Sequence, residues 1–432
     1  MVEFLNADFS GSELERSIPF DGLRMMSGER GEHFVLGIGQ RLLALEGRRR
    51  DRRKADHERW LHSLSALLAN VALGIFNRVD SGRFVAISLN RNDYSGHWIS
   101  VTALRSQLEQ LVELGLIEGQ RGYRDIKDGE VRHARRTRIR ATKSLRRLLV
   151  EAGVSRKEVG WSERRDIVIL REPDVADLIE PDDVKASRSI LTKVSSELSR
   201  AEILLPDDAW QRVNERYRSA GDAEADRLVS GEESTTLYRI FKGGWDRGGR
   251  LYGGWWINLP KAERLLLTLH GSPIVERDFA RLHPTLLYAR VGIELNFDIY
   301  SVPGIEGPFV RELGKRTFNR LINRSNARRP NLTPTPTDRA QLPPGVSFRA
   351  YVSALVERLA PIAQWFGTGE GLRLQREDSD LALGIVDRLL TKGIVSLPIH
   401  DSFIVAQQNE ASLIEAMQSE FRARYGFTPA IR

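Results

Sequence analysis

The chain has 432 residues, 41% of them hydrophobic and 28% charged, with a formal net charge of +7 and an isoelectric point near 9.6. That length allows two to four domains, and the basic balance suits a polyanionic partner without separating DNA, RNA and membrane surface. Cysteine is absent, which excludes disulfides, thiolate metal sites and a cysteine nucleophile.

Residues 1–54 are weakly patterned and read as a basic segment ending in Arg48-Arg-Arg-Asp-Arg-Arg-Lys54. Met1-Val-Glu-Phe-Leu-Asn lacks the basic and apolar regions of a signal peptide, and no apolar run reads as membrane-spanning. A cytoplasmic protein with no membrane partner is therefore expected. From Trp60 onward, Leu61, Leu64, Leu67, Leu68, Val71 and Ile75 recur at helical spacing. Val101 to Ile117 reads as a second amphipathic helix, closed by Gly115. A strand follows Leu111-Val-Glu-Leu-Gly-Leu-Ile-Glu-Gly119, then a turn around Asp128-Gly129, then a strand through Thr137-Arg-Ile-Arg140. Between Arg121 and Arg147 there are eleven Lys and Arg against three acids.

Helix, Gly-Leu-Ile, strand, basic turn and strand, over residues 55–150, is an order that resembles the winged-helix family. The resemblance implies a DNA-binding module whose wing carries Arg135, Arg136, Arg138 and Arg140 as phosphate contacts. A winged helix used only for protein contacts is the alternative. Gly153, Gly160, Pro173 and Pro181 then mark a boundary. Residues 151–236 read as a helical connector, with Ile190, Val194, Leu198 and then Trp210, Val213, Tyr217 at helical steps.

Residues 237–432 carry the chemistry. Lys242 to Trp256 combines glycines, aromatics and cations, which permit close backbone approach, base stacking and phosphate binding. A strand-like run, Pro-Ile-Val-Glu-Arg-Asp278, ends on an acid. In Leu397-Pro-Ile-His-Asp-Ser-Phe-Ile-Val405, Leu397, Ile399, Phe403 and Val405 alternate as one buried side of a hairpin with His400-Asp401 at its tip. A lone aspartate in a turn is usually a cap. Two aspartates at strand ends with a basic helix between them favour a metal site, because a charge in so apolar a hairpin is costly unless compensated. That helix, Phe309 to Asn323, carries Arg311, Lys315, Asn319 and Asn323 on one face and Arg316, Arg320, Arg324 and Arg328 in an adjacent row. An anion such as a triphosphate or a nucleic-acid backbone would explain both rows.

Asp278, Arg311-x-x-x-Lys315 and His400-Asp401 resemble motifs A, B and C of the family-A DNA polymerases and the related single-subunit phage-type RNA polymerases. Gly249-Arg250-Leu251 is similar to that family's template-primer element, and Gln375 to its duplex-contacting glutamine. The five elements occur in family order over about residues 238–432. The resemblance implies an α+β palm with helical fingers, preceded by the winged helix and by a connector that could act as a thumb. It also implies two Mg2+ ions on Asp278 and Asp401, Arg311 and Lys315 on the triphosphate, and His400 near the primer terminus. His283 stands where the DNA enzymes have a ribose-excluding glutamate. Asn319 and Asn323 stand at two aromatic positions of motif B, with Phe318 adjacent. Motif C is His-Asp-Ser, as in the phage RNA polymerases.

The expected function is thus a template-directed DNA polymerase acting on a DNA template-primer and nucleoside triphosphates, in replication of a plasmid, phage or similar element. An RNA polymerase or primase of the same fold is the close alternative. A non-catalytic winged-helix replication or regulatory protein is a third, against which the retention of Asp278, Asp401, Arg311 and Lys315 argues.

Overall fold

Helices and small, mostly antiparallel sheets make up a mixed α/β protein in the computed structural model. It describes residues 9, 11–47, 50–77, 81–94, 98–127, 130–172, 179–219, 234–325 and 332–432. The Asp128-Gly129 turn, Arg48-Arg49 and Arg328 lie outside these. The chain forms two compact units, one holding residues up to Asp166 with a segment starting at Trp210, the other holding Ile167–Ala209 and Ser234–Arg432.

In the first unit, helix α1 (Gly28–Glu46) precedes α2 (Lys54–Phe76). Residues 1–54, expected as a weakly patterned basic segment, contain α1. Phe34, Val35, Ile38 and Leu42 of α1 are buried in the same core as α2. Leu36, Leu43 and Leu45 are exposed on the same helix, so its apolar residues form no clean stripe. Helix α2 is long and apolar enough, by length and composition, to cross a membrane, and 83% of its most apolar window is buried within the fold. Leu64, Leu67 and Leu73 have no exposure, and each such burial contributes about 1.5–3 kcal/mol.

Helix α3 (Val101–Glu113) starts at Ser100, whose side chain accepts from the Ala103 amide. It buries Leu104, Leu108 and Leu111 and turns Thr102, Arg105 and Glu109 outward. Gly115, at φ 64, ends it, and the chain enters β4 (Ile117–Gln120). The main sheet runs β1 (Ile18–Pro19), β3 (Val85–Ile87), β7 (Thr137–Ala141), β4, with Val85 opposite Ile139 and Ile117 opposite Ala141. Strands β5 (Tyr123–Lys127) and β6 (Glu130–Arg135) form a separate hairpin between β4 and β7. Strands β2 (Arg24–Met26) and β8 (Val159–Trp161) pair alongside, and α4 (Lys143–Glu151) follows the sheet.

The connector expected over residues 151–236 contains helices α5 (Asp182–Arg200) and α6 (Asp207–Ser219). It also contains β9 (Val168–Arg171), which pairs in parallel with β11 (Tyr238–Lys242) of the second unit's smaller sheet. Strand β12 (Gly248–Tyr252) completes that sheet. The larger sheet is antiparallel, in the order β10 (Ile203–Leu204), β13 (Thr268–Leu269), β14 (Ser272–Asp278), β16 (Ser402–Ala406), β15 (Leu397–Ile399). All five residues of β16 are buried, not only the alternate ones, because it lies between two strands and α12 (Glu410–Tyr425) packs on it.

Helices α7 (Leu282–Arg290), α8 (Val310–Asn323), α9 (Pro336–Ala340) and α10 (Phe348–Arg358) intervene between β14 and β15. Helix α9 forms on a Thr335/Asp338 capping box. Helix α11 (Gly371–Thr391) contacts β12, α5, α7, α8 and α12, and so organises the unit.

Candidate catalytic site

Strand β14 delivers Asp278 and the β15–β16 turn delivers Asp401. Asp278 lies opposite Ser402, and the Phe279 amide donates to the Asp401 carbonyl at 3.3 Å. Two carboxylates 123 residues apart therefore reach adjoining strand ends. The backbone near both is left-handed at non-glycine residues, with φ 56 at His400 and φ 60 at Arg281. Each such residue costs about 1–3 kcal/mol and persists only where its surroundings enforce it.

The electrostatics are unfavourable for two bare anions. Burial pushes the Asp278 carboxyl up, and the nearby Asp401 charge adds to that against the opposing hydrogen bond from Arg432. Burial and the Asp378 charge likewise push Asp401 up. Asp278 Oδ1 is buried without a hydrogen-bond partner among the described residues. Among those residues no group of three His, Asp or Glu side chains forms a ligand set. Two carboxylates fit Mg2+, which is usually held by one or two of them together with waters and substrate phosphates.

Around this pair lies a cluster centred on Asp378, which the sequence reading did not single out. Its side chain is 1% exposed. Asp378 Oδ2 accepts from Arg250 Nε at 3.0 Å and Nη2 at 2.6 Å, and lies 3.0 Å from His283 Nε2. Burial raises the Asp378 pKa, but the His283 hydrogen bond and the Arg250 charge outweigh it and hold the carboxyl below its ordinary range. A carboxylate neighbour puts the proton on His283 Nε2, and the 3.4 Å approach of Arg250 to that nitrogen is then only a contact. Asp378 sits among Leu374, Leu381, Ala382 and Ile385 on the buried face of α11. An acid on an apolar helical stripe is the signal that could have found it.

The chain matches no protein-family model and no curated protein.

His400 is half-buried with its ring 6.0 Å from that of Tyr252, and its buried Nδ1 has no partner among the described residues. Burial, then the Arg250 charge, lower its pKa. Ser402 donates toward Glu276 Oε1 at 3.3 Å, and Glu276 in turn takes a two-pronged contact from Arg264 at 3.0 and 3.1 Å. Gln375 lies about one turn before Asp378 on α11 and is half-buried.

On α8, Arg311 Nε donates to Asp298 at 2.8 Å and its guanidinium lies 5.5 Å from the Tyr300 ring. Tyr300 is pushed up to about 12 by burial, against the lowering charges of Arg311 and Arg432. The start of α8 and the end of β14 thus share one neighbourhood. Lys315 is exposed. Asn323 donates to the Asn319 carbonyl at 2.7 Å, and its Oδ1 would lie 1.9 Å from a Cβ placed on Gly371. That close approach seats α8 against the start of α11, and a larger residue at 371 would have to displace the Asn323 side chain.

The second basic row has an internal explanation. Arg316 and Arg320 both reach Asp338, at 3.4 and 2.8 Å, and Asp338 is the buried capping residue of α9. No external anion is required for Arg316 and Arg320.

In the first unit, the four wing arginines differ from one another. Arg140 contacts Glu118 at 2.7 Å and Glu13 at 3.4 Å and lies over Phe84. Arg138 Nε donates to the Leu14 carbonyl at 2.8 Å. Burial first, then Arg135 and Arg136, lower its pKa. Arg135 lies over the Tyr123 ring. Arg136 is the exposed member, with a loose contact of 3.8 Å to Asp93. Two of the four are thus held inside the fold rather than offered to a partner.

Proposed function

We propose that the protein is a template-directed nucleotidyltransferase, a DNA polymerase of the family-A type using two Mg2+ ions. The observation that carries this reading is the meeting of Asp278, at the end of β14, and Asp401, in the adjoining turn, both half-buried and both shifted toward the neutral form. A divalent cation would reverse that shift. Asp278 and Asp401 would hold the ions, which supply activation of the primer hydroxyl and charge neutralisation at the phosphates. Lys315, exposed on α8, supplies positive charge toward the triphosphate, and Arg311 joins it by exchanging its Asp298 contact for phosphate. Arg250 and His283, both held by Asp378, present fixed groups beside His400 to the primer end and the incoming nucleotide.

The first unit supports a DNA-binding role. Strand order β3-β7-β4, with α3 entering β4 and a hairpin between β4 and β7, suits a winged helix, and Arg136 supplies an exposed cation. One observation favours the RNA polymerase or primase alternative. The His283 ring is oriented by a carboxylate, which suits reading a hydroxyl as well as excluding one.

The test is extension of a labelled primer on a DNA template with Mg2+, supplying dNTPs and NTPs in separate reactions. Extension with dNTPs is expected. Extension with NTPs alone would give the alternative the lead, and none with either would end the polymerase reading.

A further inference from the structure

Asp278 already has a cation against it. Arg432 Nε lies 3.0 Å from Asp278 Oδ2, and a second guanidinium nitrogen reaches the same oxygen. The approach is set by backbone as well as by side chain. The Asp278 amide donates to the Arg432 carbonyl and the Arg432 amide to the Asp278 carbonyl, both at 3.0 Å. Phe279 pairs with Ile431, and the Ala280 amide donates to the Ala430 carbonyl at 2.8 Å. Residues 430–432 thus run antiparallel to residues 278–280 at the end of β14, through an isolated bridge. The guanidinium is 70% exposed, so little but Asp278 fixes it in place. It also lies close enough to Asp401 to interact with that charge.

Resting on the two-metal reading of this site, we propose that Arg432 is an internal counter-cation that competes with the divalent ion for Asp278. A positive charge on one carboxylate oxygen lowers the site's attraction for a second cation. Oδ1 accepts no hydrogen bond among the described residues, so it is left to serve as a ligand, but the ion binds against the guanidinium. An arriving polyanion draws Arg432 off, since a guanidinium pairs with phosphate as readily as with carboxylate. Cation binding is in this way weak in the empty site and strengthened by the substrate.

The test is binding of Mn2+, as a Mg2+ surrogate, to the full chain without nucleotide, followed by the paramagnetic resonance of the free ion. Four proteins are compared: wild type, Arg432→Gln, Arg432→Lys and Asp278→Asn. Arg432→Gln should bind Mn2+ about tenfold more tightly, a difference of about 1.4 kcal/mol, while Arg432→Lys stays near wild type because the charge remains. Asp278→Asn should lose the site. Adding a non-hydrolysable triphosphate should narrow the gap between wild type and Arg432→Gln. Equal or weaker binding by Arg432→Gln, with binding still dependent on Asp278, overturns the competition alone. Binding that ignores Asp278, or none in any variant, overturns the metal reading on which it rests.

Discussion

Removing the Asp378 carboxylate tests the cluster around which the second unit's site is arranged. Asp378→Ala leaves Arg250 and His283 without the acceptor that holds both. Breaking a buried charge pair costs roughly 3–5 kcal/mol. Arg250 and His283 are each 21% exposed, so they regain some hydration, and the lower end, about 3 kcal/mol, is expected. With an m-value of about 2–3 kcal/mol/M in urea, the midpoint of the second unit should fall by about 1–1.5 M. Asp378→Asn keeps an acceptor without the charge and should fall less.

The pH dependence has a fixed sign. The folded pKa of Asp378 is depressed, so its contribution is complete above the unfolded value of about 3.9 and is lost as pH falls below it. The gap between wild type and Asp378→Asn should therefore be full at neutral pH and shrink below about pH 4. Urea titrations at several pH values measure it. Variants within about 0.5 kcal/mol of wild type, the ordinary range for surface changes, or a gap unchanged into acid, would refute the assignment.

Arg136→Ala should reduce the salt slope of duplex binding by about one unit with no change in stability, whereas Arg140→Ala should cost about 1 kcal/mol of stability. Filter binding across salt concentrations and urea unfolding separate the two effects, and an unchanged salt slope for Arg136→Ala would move the first unit toward protein contacts. Gly314→Ala would set a Cβ 2.0 Å from the Tyr300 carbonyl oxygen, so a loss of about 1–3 kcal/mol is expected even though alanine favours helix. Thermal unfolding reads it, and a neutral result would mean that α8 can move away from Tyr300. His283→Ala should raise ribonucleotide incorporation, read as kcat/KM for dATP against ATP on one primed template. A wild type that prefers ATP, with the preference eroded by the mutation, would instead mean that His283 reads the hydroxyl.

What could be read from the sequence was the part that obeys a period. Leu104, Leu108 and Leu111 mark α3 because one face of that helix is core and the other is not. The aspartates of β14 and the β15–β16 turn were visible because charges interrupt apolar runs. Helix α1 was hidden because leucines occur on its exposed face too and four glycines dilute its pattern. The Arg316 and Arg320 row was plain, but its partner Asp338 is about twenty residues further on, and spacing along one helix cannot reveal a partner on the next. Asp378 was masked by its neighbours in Arg-Glu-Asp-Ser-Asp, where the one fully buried acid looks like the half-buried Glu377 and Asp380. The Arg432 contact joins residues 154 positions apart, which no local pattern encodes.

The central claim is that Asp278 and Asp401 form a catalytic cation site, and Asp401→Asn tests it most directly. Its Mg2+-dependent primer extension should be compared with its urea midpoint in chelator. Neutralising a half-buried carboxyl that Asp378 repels should leave stability unchanged or raise it by about 1 kcal/mol, while nucleotide incorporation falls to background. Extension by Asp401→Asn at a rate near that of the wild type would contradict the account.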